Sequence, residues 1–310
     1  MNNIICIAGP TASGKTALAV ELAKALNGEV VSCDSMYVYK QMNIGTAKPS
    51  LEEMDGIVHH MIDVAEPDED FSVSRYCEMA TPILEDILSR GKTAIIAGGT
   101  GLYMDSLIRG NDFAPVPATG QRERLEARLE KEGLAALCEE LGKIDPEALE
   151  RSQNNPRRII RALEVFYETG ETITLHNERT QAIPPRYEPV WLGLDFENRQ
   201  DLYDRIDLRV DIMLQQGLLE EIRQLLDSGI PADCTAMQAI GYKEFVRALS
   251  GQDTLENAVE ELKRGSRRYA KRQLTWFRRN SNMNWLIRKK EQSAAEILAQ
   301  AQQVLRNFDN

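Results

Sequence analysis

Cysteine is scarce and never paired in sequence: Cys6, Cys33, Cys77, Cys138 and Cys234 stand singly, an odd number without a C-x-x-C pair. That spacing argues against a disulfide framework and against a zinc module. Histidine is rarer still, with His59 and His60 adjacent and His176 distant, so no metal-ligand spacing is present. No apolar stretch approaches the roughly 18 residues a membrane span requires, and the chain enters a strand pattern without a basic-then-apolar leader. A cytoplasmic protein without membrane association is therefore expected; a monomer is expected by default, no sequence feature fixing it. Internal repeats and low-complexity tracts are also absent, and 43% hydrophobic with 27% charged residues over 310 positions is ordinary for one or two globular domains.

Positive charge is in deficit as well: 37 Lys and Arg face 48 Asp and Glu, a net charge of -11. Taken alone, that speaks against nucleic-acid binding, because phosphate contacts are made by lysine and arginine. The distribution says otherwise. Residues 263–279, KRGSRRYAKRQLTWFRR, hold eight basic residues and no acidic one. Arg264, Arg268, Lys271, Arg272 and Thr275 recur at spacings that put several on one helical face, and Trp276-Phe277 add aromatic surface. Eight uncompensated cations on an acidic protein favour a polyanion, RNA or DNA, over the alternative of a solvated helix face.

Apolar runs at residues 4–8, 29–33, 93–97 and 190–194 read as strands with helical patterns between them, which predicts a parallel α/β sheet. The residues of chemical interest come just after these runs: GPTASGKT, Asp34-Ser35, Gly98-Gly99-Thr100 and Asp195. Open α/β sheets bind ligands at those carboxyl ends. Gly9, Pro10, Thr11, Ala12, Ser13, Gly14, Lys15 and Thr16 fit the phosphate-loop pattern G-x-x-x-x-G-K-[ST], with a strand before and a helix after. Backbone N–H groups there can turn onto phosphate oxygens, Lys15 adds a mobile positive charge, and the Thr16 hydroxyl can ligate Mg²⁺. The pattern does not choose between a nucleotide and another diphosphate. Asp34 can ligate the metal, cap a helix or accept a proton. The run Gly98-Gly99-Thr100-Gly101 suits either close backbone approach, with the Thr100 hydroxyl on a phosphate oxygen, or a simple turn.

Two proline-bearing stretches, Phe113-Ala114-Pro115-Val116-Pro117 and IPPRYEP at 183–189, bracket a segment of different character. Within it RERLEARLEKEGLAALCEEL and RRIIRALEVFYETG read as helices, with Asn155 as N-cap and Pro156 at the first helical position. The expected organisation is an α/β core of residues 1–114 and 188–310 with a helical insertion at 115–187. Beyond Asp195, helices are predicted over 199–228, 241–249 and 254–279.

Taken together, GPTASGKT, DSMYVY followed by MNIGTAKP, HHMID, AGGTGLY, RRIIRALEV, AIGYKE and KRQLTWFR resemble the ordered motif set of the bacterial tRNA dimethylallyltransferases. The resemblance runs from about residue 4 to Trp285. It implies a P-loop NTPase-like α/β core with a helical insertion that clasps the tRNA anticodon stem-loop, a requirement for Mg²⁺, and transfer of the dimethylallyl group of dimethylallyl diphosphate to N6 of the adenosine 3′ of the anticodon, in tRNAs reading codons that begin with U. On that pattern Asp34 is the general base, Thr100 contacts the bridging oxygen of the leaving diphosphate, and Lys15 and Arg209 hold that diphosphate. The tRNA would be faced by Asp34, Ser35, Met36, Tyr37, Thr100, Arg122, Gln153, Asn154, Asn155, Pro156, Arg157, Gln238, Gly241, Tyr242, Lys243, Lys271, Arg272, Gln273, Thr275, Trp276 and Arg278. One position departs from the pattern: Tyr37 stands where many members carry glutamine, so stacking on the target base replaces hydrogen bonding as its expected role.

Three rivals use the same loop. A small-molecule kinase would lack the basic helix and would move phosphate from ATP. An adenylate isopentenyltransferase would accept AMP, whereas the basic strip and insertion favour a macromolecular acceptor. A GTPase-like RNA-binding module would hydrolyse nucleotide without prenyl transfer.

Overall fold

The computed structural model describes residues 3–110 and 119–308. Short apolar runs rich in Ile and Val, bounded by glycine and polar residues, form strands here, and amphipathic runs between them form helices. In chain order the first unit begins with β1 (Ile4–Ala8), α1 (Lys15–Ala25), β2 (Gly28–Cys33), α2 (Leu51–Met54), β3 (His59–His60), α3 (Val73–Ser89), β4 (Thr93–Gly98) and α4 (Gly101–Arg109). A helical stretch follows: α5 (Gln121–Glu132), α6 (Leu134–Ile144), α7 (Pro146–Ser152), α8 (Pro156–Thr169) and α9 (Ile173–Ala182). The chain then returns with β5 (Val190–Phe196), α10 (Arg199–Gln215), α11 (Leu218–Asp227), α12 (Lys243–Leu249), α13 (Leu255–Phe277), β6 (Met283–Arg288) and α14 (Ala294–Phe308).

The strands build one six-stranded sheet in the order β3-β2-β4-β1-β5-β6, and every pairing is parallel. A parallel α/β sheet is what the alternation predicted. β1 and β5 are buried along their whole length, as strands covered on both faces must be. Ile5, Ile7, Val30, Ile95, Leu192 and Leu286 of the sheet pack with Leu18 and Leu22 of α1 and Ile297 of α14. Phe196 at the end of β5 packs with Leu202 and Ile206 of α10 and with Ala270 and Leu274 of α13. Because β1 lies between β4 and β5, the loops that leave the carboxyl ends of β1, β2, β4 and β5 gather at one end of the sheet.

The chain divides into two compact units, Met1–Ile108 with Tyr187–Asn310, and Arg109–Arg186. The second has its own core, Leu125, Leu137, Leu141, Ile159, Ile160 and Leu163, drawn from α5, α6 and α8. Asn155 caps α8 by accepting the Arg158 N–H at 3.3 Å, and Pro156 occupies its first turn, as the sequence indicated. The proline stretch at 113–117 lies outside the described residues. No helix among the described residues is long and apolar enough to cross a membrane.

Several expectations are corrected. The helix expected over 199–228 is two, because Gly217 takes a left-handed φ of 99° between α10 and α11. The leucine-spaced run after residue 120 likewise breaks at Gly133. Asp195 does not follow β5; it lies within it, 3% exposed. β3 and β6 escaped the sequence reading, the first because it is two residues long, the second because MNWLIR alternates only weakly.

Candidate active site

The loop between β1 and α1 curls over the end of the sheet and lines a cleft of about 1290 Å³. Lys15 opens α1 and folds back, its Nζ donating to the Pro10 carbonyl at 2.7 Å. Burial pulls its pKa down to about 8, and the neighbouring Asp34 carboxylate only partly opposes this. Ser13 is buried with its hydroxyl unpartnered among the described residues. Arg205 and Arg209, one turn apart on α10, reach into the same place. Arg205 Nε donates to the Ala12 carbonyl at 3.0 Å, and Arg209 Nη1 donates to the Thr11 hydroxyl at 3.3 Å. Arg288, at the end of β6, stands 3.6 Å from where a Cβ on Gly14 would be. Burial, then Arg288, then Arg209 lower the Arg205 pKa. Four cations thus ring one loop, an arrangement that asks for a multivalent anion.

Asp34 leaves β2 and faces this cluster, half-buried. Burial raises its pKa against the pull of the Met36 N–H, Lys15 and Arg209. Met36 N–H donates to Asp34 Oδ1 at 2.9 Å, a turn bond that fixes the carboxylate. Thr100 follows β4 and is tied to the same turn: its hydroxyl accepts the Ser35 N–H at 3.0 Å and donates to Ser35 Oγ at 3.3 Å. Tyr37 donates its hydroxyl to the Ala47 carbonyl at 2.7 Å, and burial pushes its pKa up to about 12. That hydroxyl is engaged inside the protein.

α13 closes the site from the side. The glycine run after β4 exists for this contact: a Cβ on Gly99 would stand 2.0 Å from Gln273 Nε2, and one on Gly101 2.2 Å from the Trp276 ring. Gln273 bridges two loops, accepting the Thr11 N–H at 2.9 Å and donating to the Gly99 carbonyl at 3.0 Å. Trp276 Nε1 donates to Asp105 at 2.8 Å.

The basic strip is less bare than its sequence. Lys263 pairs with Asp211 at 2.6 Å, Arg267 with Asp207 at 2.5 Å, Arg264 with Glu261, and Arg278 with the buried Asp195 at 2.8 Å. The eight cations were therefore not all uncompensated; α10 supplies carboxylates across the helix pair. Arg268, Lys271, Arg272 and Arg279 have no carboxylate partner among the described residues, and Arg272 and Arg279 lie over the Tyr269 and Trp276 rings. Phe277, expected on the surface, is 2% exposed and belongs to the core.

Of the residues expected to meet a polynucleotide, Asp34, Ser35, Met36, Tyr37, Gln238 and Arg272 line the cleft with the phosphate loop. Lys243, Lys271, Thr275 and Arg278 are exposed. Gln273 and Tyr242 are instead buried at 4% and 0%, with Gln273 engaged as above and the Tyr242 hydroxyl donating to Glu221 at 2.7 Å. In the second unit Arg122 pairs with Glu164 at 3.1 Å, and Gln153 and Asn154, both left-handed, carry the chain from α7 to Asn155, Pro156 and Arg157 in an exposed turn. Arg205, Arg288 and Glu221 went unread in the sequence. Only Arg205 left a trace there, its four-residue spacing from Arg209. Among the described residues no group of three or more His, Cys, Asp or Glu is placed to hold a metal.

Known proteins resemble this chain over most of its length. Residues 37–280 match the family model described as IPP transferase. The tRNA dimethylallyltransferase of Acetivibrio thermocellus is 46% identical over 310 residues, covering 99% of each chain. A crystal structure of the full-length tRNA isopentenylpyrophosphate transferase of Bacillus halodurans is similar with a TM-score of 0.75 at 44% identity, over 100% of this chain and 97% of that one. A eukaryotic dimethylallyltransferase, solved acting on tRNA, gives a TM-score of 0.82 at 30% identity over 98% of this chain and 79% of that one.

Proposed function

The chain belongs to the IPP transferase family, and on that premise we propose that it transfers the dimethylallyl group of dimethylallyl diphosphate to N6 of the adenosine 3′ of the anticodon, in tRNAs reading codons that begin with U, releasing diphosphate. The observation that carries the reading is the joining, in one cleft, of a phosphate loop ringed by Lys15, Arg205 and Arg209 with a single carboxylate of raised pKa. A kinase could use the same loop and a carboxylate base, but it would not call for the unpaired cations Arg268, Lys271, Arg272 and Arg279 in and just after α13.

Adenine N6 is a weak nucleophile, its lone pair delocalised into the ring. As N6 bonds to the prenyl C1, the C1–O bond breaks, the electron pair leaves on the diphosphate, and the N6 proton passes to Asp34. Burial makes that carboxylate a better base, and such a group contributes roughly 10²–10⁴ in rate. The departing charge would be met by Lys15, Arg209 and the loop N–H groups, with Thr100 toward the bridging oxygen. Mg²⁺ fits the donors present: the Thr16 hydroxyl lines the cleft and makes no hydrogen bond among the described residues, and Mg²⁺ asks for few protein ligands when phosphate oxygens supply the rest. Bound there it would neutralise charge on the diphosphate.

For the tRNA, the unpaired Lys271 and Arg272 beside the cleft suit backbone phosphates, with Gln238, Gly241, Lys243, Thr275, Trp276 and Arg278 nearby on unit 1, and Arg122 and the 153–157 turn on the helical unit. Extruding the target base costs a few kcal/mol, less from a loop than from a duplex. The test is incubation with unmodified tRNA and labelled dimethylallyl diphosphate, followed by nucleoside analysis. Label in N6-isopentenyladenosine is the expected result. Label transferred to AMP but not tRNA, or phosphate moved from ATP instead, would refute the assignment.

A further inference from the structure

Glu221 takes no part in the chemistry above, yet it is buried, 9% exposed, on α11 beside the cleft. Its Oε2 accepts the N–H groups of Asn43 at 2.8 Å and Ile44 at 2.7 Å. Its Oε1 accepts the Gly45 N–H at 3.0 Å and the Tyr242 hydroxyl at 2.7 Å. Four donors meet one carboxylate, and no cation among the described residues pairs with it. Three consecutive backbone amides curled around an anion form a nest, here occupied by the protein's own side chain.

The segment so held has neither strand nor helix to fix it. It is pressed close: a Cβ on Gly45 would stand 2.6 Å from the Tyr242 ring. Two residues further on, the Ala47 carbonyl accepts both the Tyr37 hydroxyl at 2.7 Å and Arg209 Nη2 at 3.1 Å. The other bond of Arg209 is the 3.3 Å contact to Thr11 in the phosphate loop. Arg209 is thus suspended between the phosphate loop and a segment whose position Glu221 sets.

We infer that Glu221 is a positioning residue for the diphosphate site: through residues 43–47 it seats Arg209 and Tyr37 against the phosphate loop. The inference rests on the proposed function in one respect, the reading of Arg209 as a diphosphate ligand. Its test is a double-mutant cycle on binding of inorganic pyrophosphate with Mg²⁺, measured by calorimetry on the full chain. Glu221→Gln, which keeps size but turns an amide N–H toward backbone donors, should weaken binding about tenfold, the scale of one lost bond to a charged group. Arg209→Ala should weaken it by at least as much. In the Arg209→Ala background, Glu221→Gln should cost less than about twofold more. Gly45→Ala, which pushes the same segment off the Tyr242 ring and leaves Glu221 intact, should reproduce this pattern, so the inference stays testable if Glu221→Gln fails to fold. Losses that simply add, from either variant, overturn the positioning role alone. Pyrophosphate affinity unchanged by Arg209→Ala overturns the reading of the site itself, and this inference with it.

Discussion

Lys15→Met should stabilise the protein while destroying its site. Burial holds the Lys15 pKa near 8 against 10.5 for a free lysine. At about 1.4 kcal/mol per pH unit, this difference costs the folded chain roughly 3 kcal/mol wherever the lysine is charged in both states. Methionine is of similar length and carries no charge, but it forfeits the 2.7 Å bond from the charged Nζ to the Pro10 carbonyl, worth about 2 kcal/mol. The net gain at pH 7 is therefore about 1 kcal/mol. Its pH dependence has a definite sign. The unfolded chain keeps its proton up to about 10.5 and the folded one releases it near 8, so the parent gains stability as pH rises through that window. The advantage of the variant is full below pH 8 and gone by about 10.5. Urea unfolding of both proteins at a series of pH values from 7 to 10.5 measures it, and pyrophosphate calorimetry on the same samples should show binding lost, with prenyl transfer abolished. A variant no more stable than the parent at pH 7, or one whose advantage ignores pH, would refute the reasoning.

Three other outcomes are expected. Asp34→Asn should lower the single-turnover transfer rate by roughly 10²–10⁴ with little change in pyrophosphate or tRNA affinity; rescue by high Mg²⁺ would make the residue a metal ligand instead. Arg272→Ala, which removes an unpaired cation, should reduce the salt slope of tRNA binding by about one, whereas Arg264→Ala, whose charge already meets Glu261, should barely move it; equal effects would erase the distinction drawn between paired and unpaired charges. Gln273→Met leaves a buried amide and a buried carbonyl unpaired and should cost about 2–4 kcal/mol in urea unfolding, and a loss under about 0.5 kcal/mol would show that the two loops hold together without it.

What could be read in advance was local. A short apolar run, six loop residues and a helix-forming run announce β1, the phosphate loop and α1, because spacing alone dictates that geometry. Asn155-Pro156 announces the start of α8 for the same reason. Contacts that depend on distant partners were hidden. Asp207 and Asp211 neutralise two cations of α13 from roughly fifty to sixty positions away, so the charge run looked barer than it is. Tyr242 and Gln273 lie in polar-looking motifs, yet their burial follows from Glu221 and from the Thr11–Gly99 pair, neither of them near in sequence. Arg288 stands near Gly14 only because β6 pairs with β5, an edge pairing that weak alternation did not betray.

α13 carries two texts on opposite sides. Gln273, Leu274 and Phe277 face inward, while Lys271, Arg272, Thr275 and Arg278 face water. Helical periodicity keeps the two apart, since neighbours in sequence fall on different sides. Changes on the outer face alter charge and reach without touching the Gln273 amide that joins the Thr11 and Gly99 loops. If the outer face meets the tRNA as proposed, its grip could be retuned at Lys271, Arg272 and Thr275 while the inward amide stays in place; Arg278 is less free, because it partners the buried Asp195.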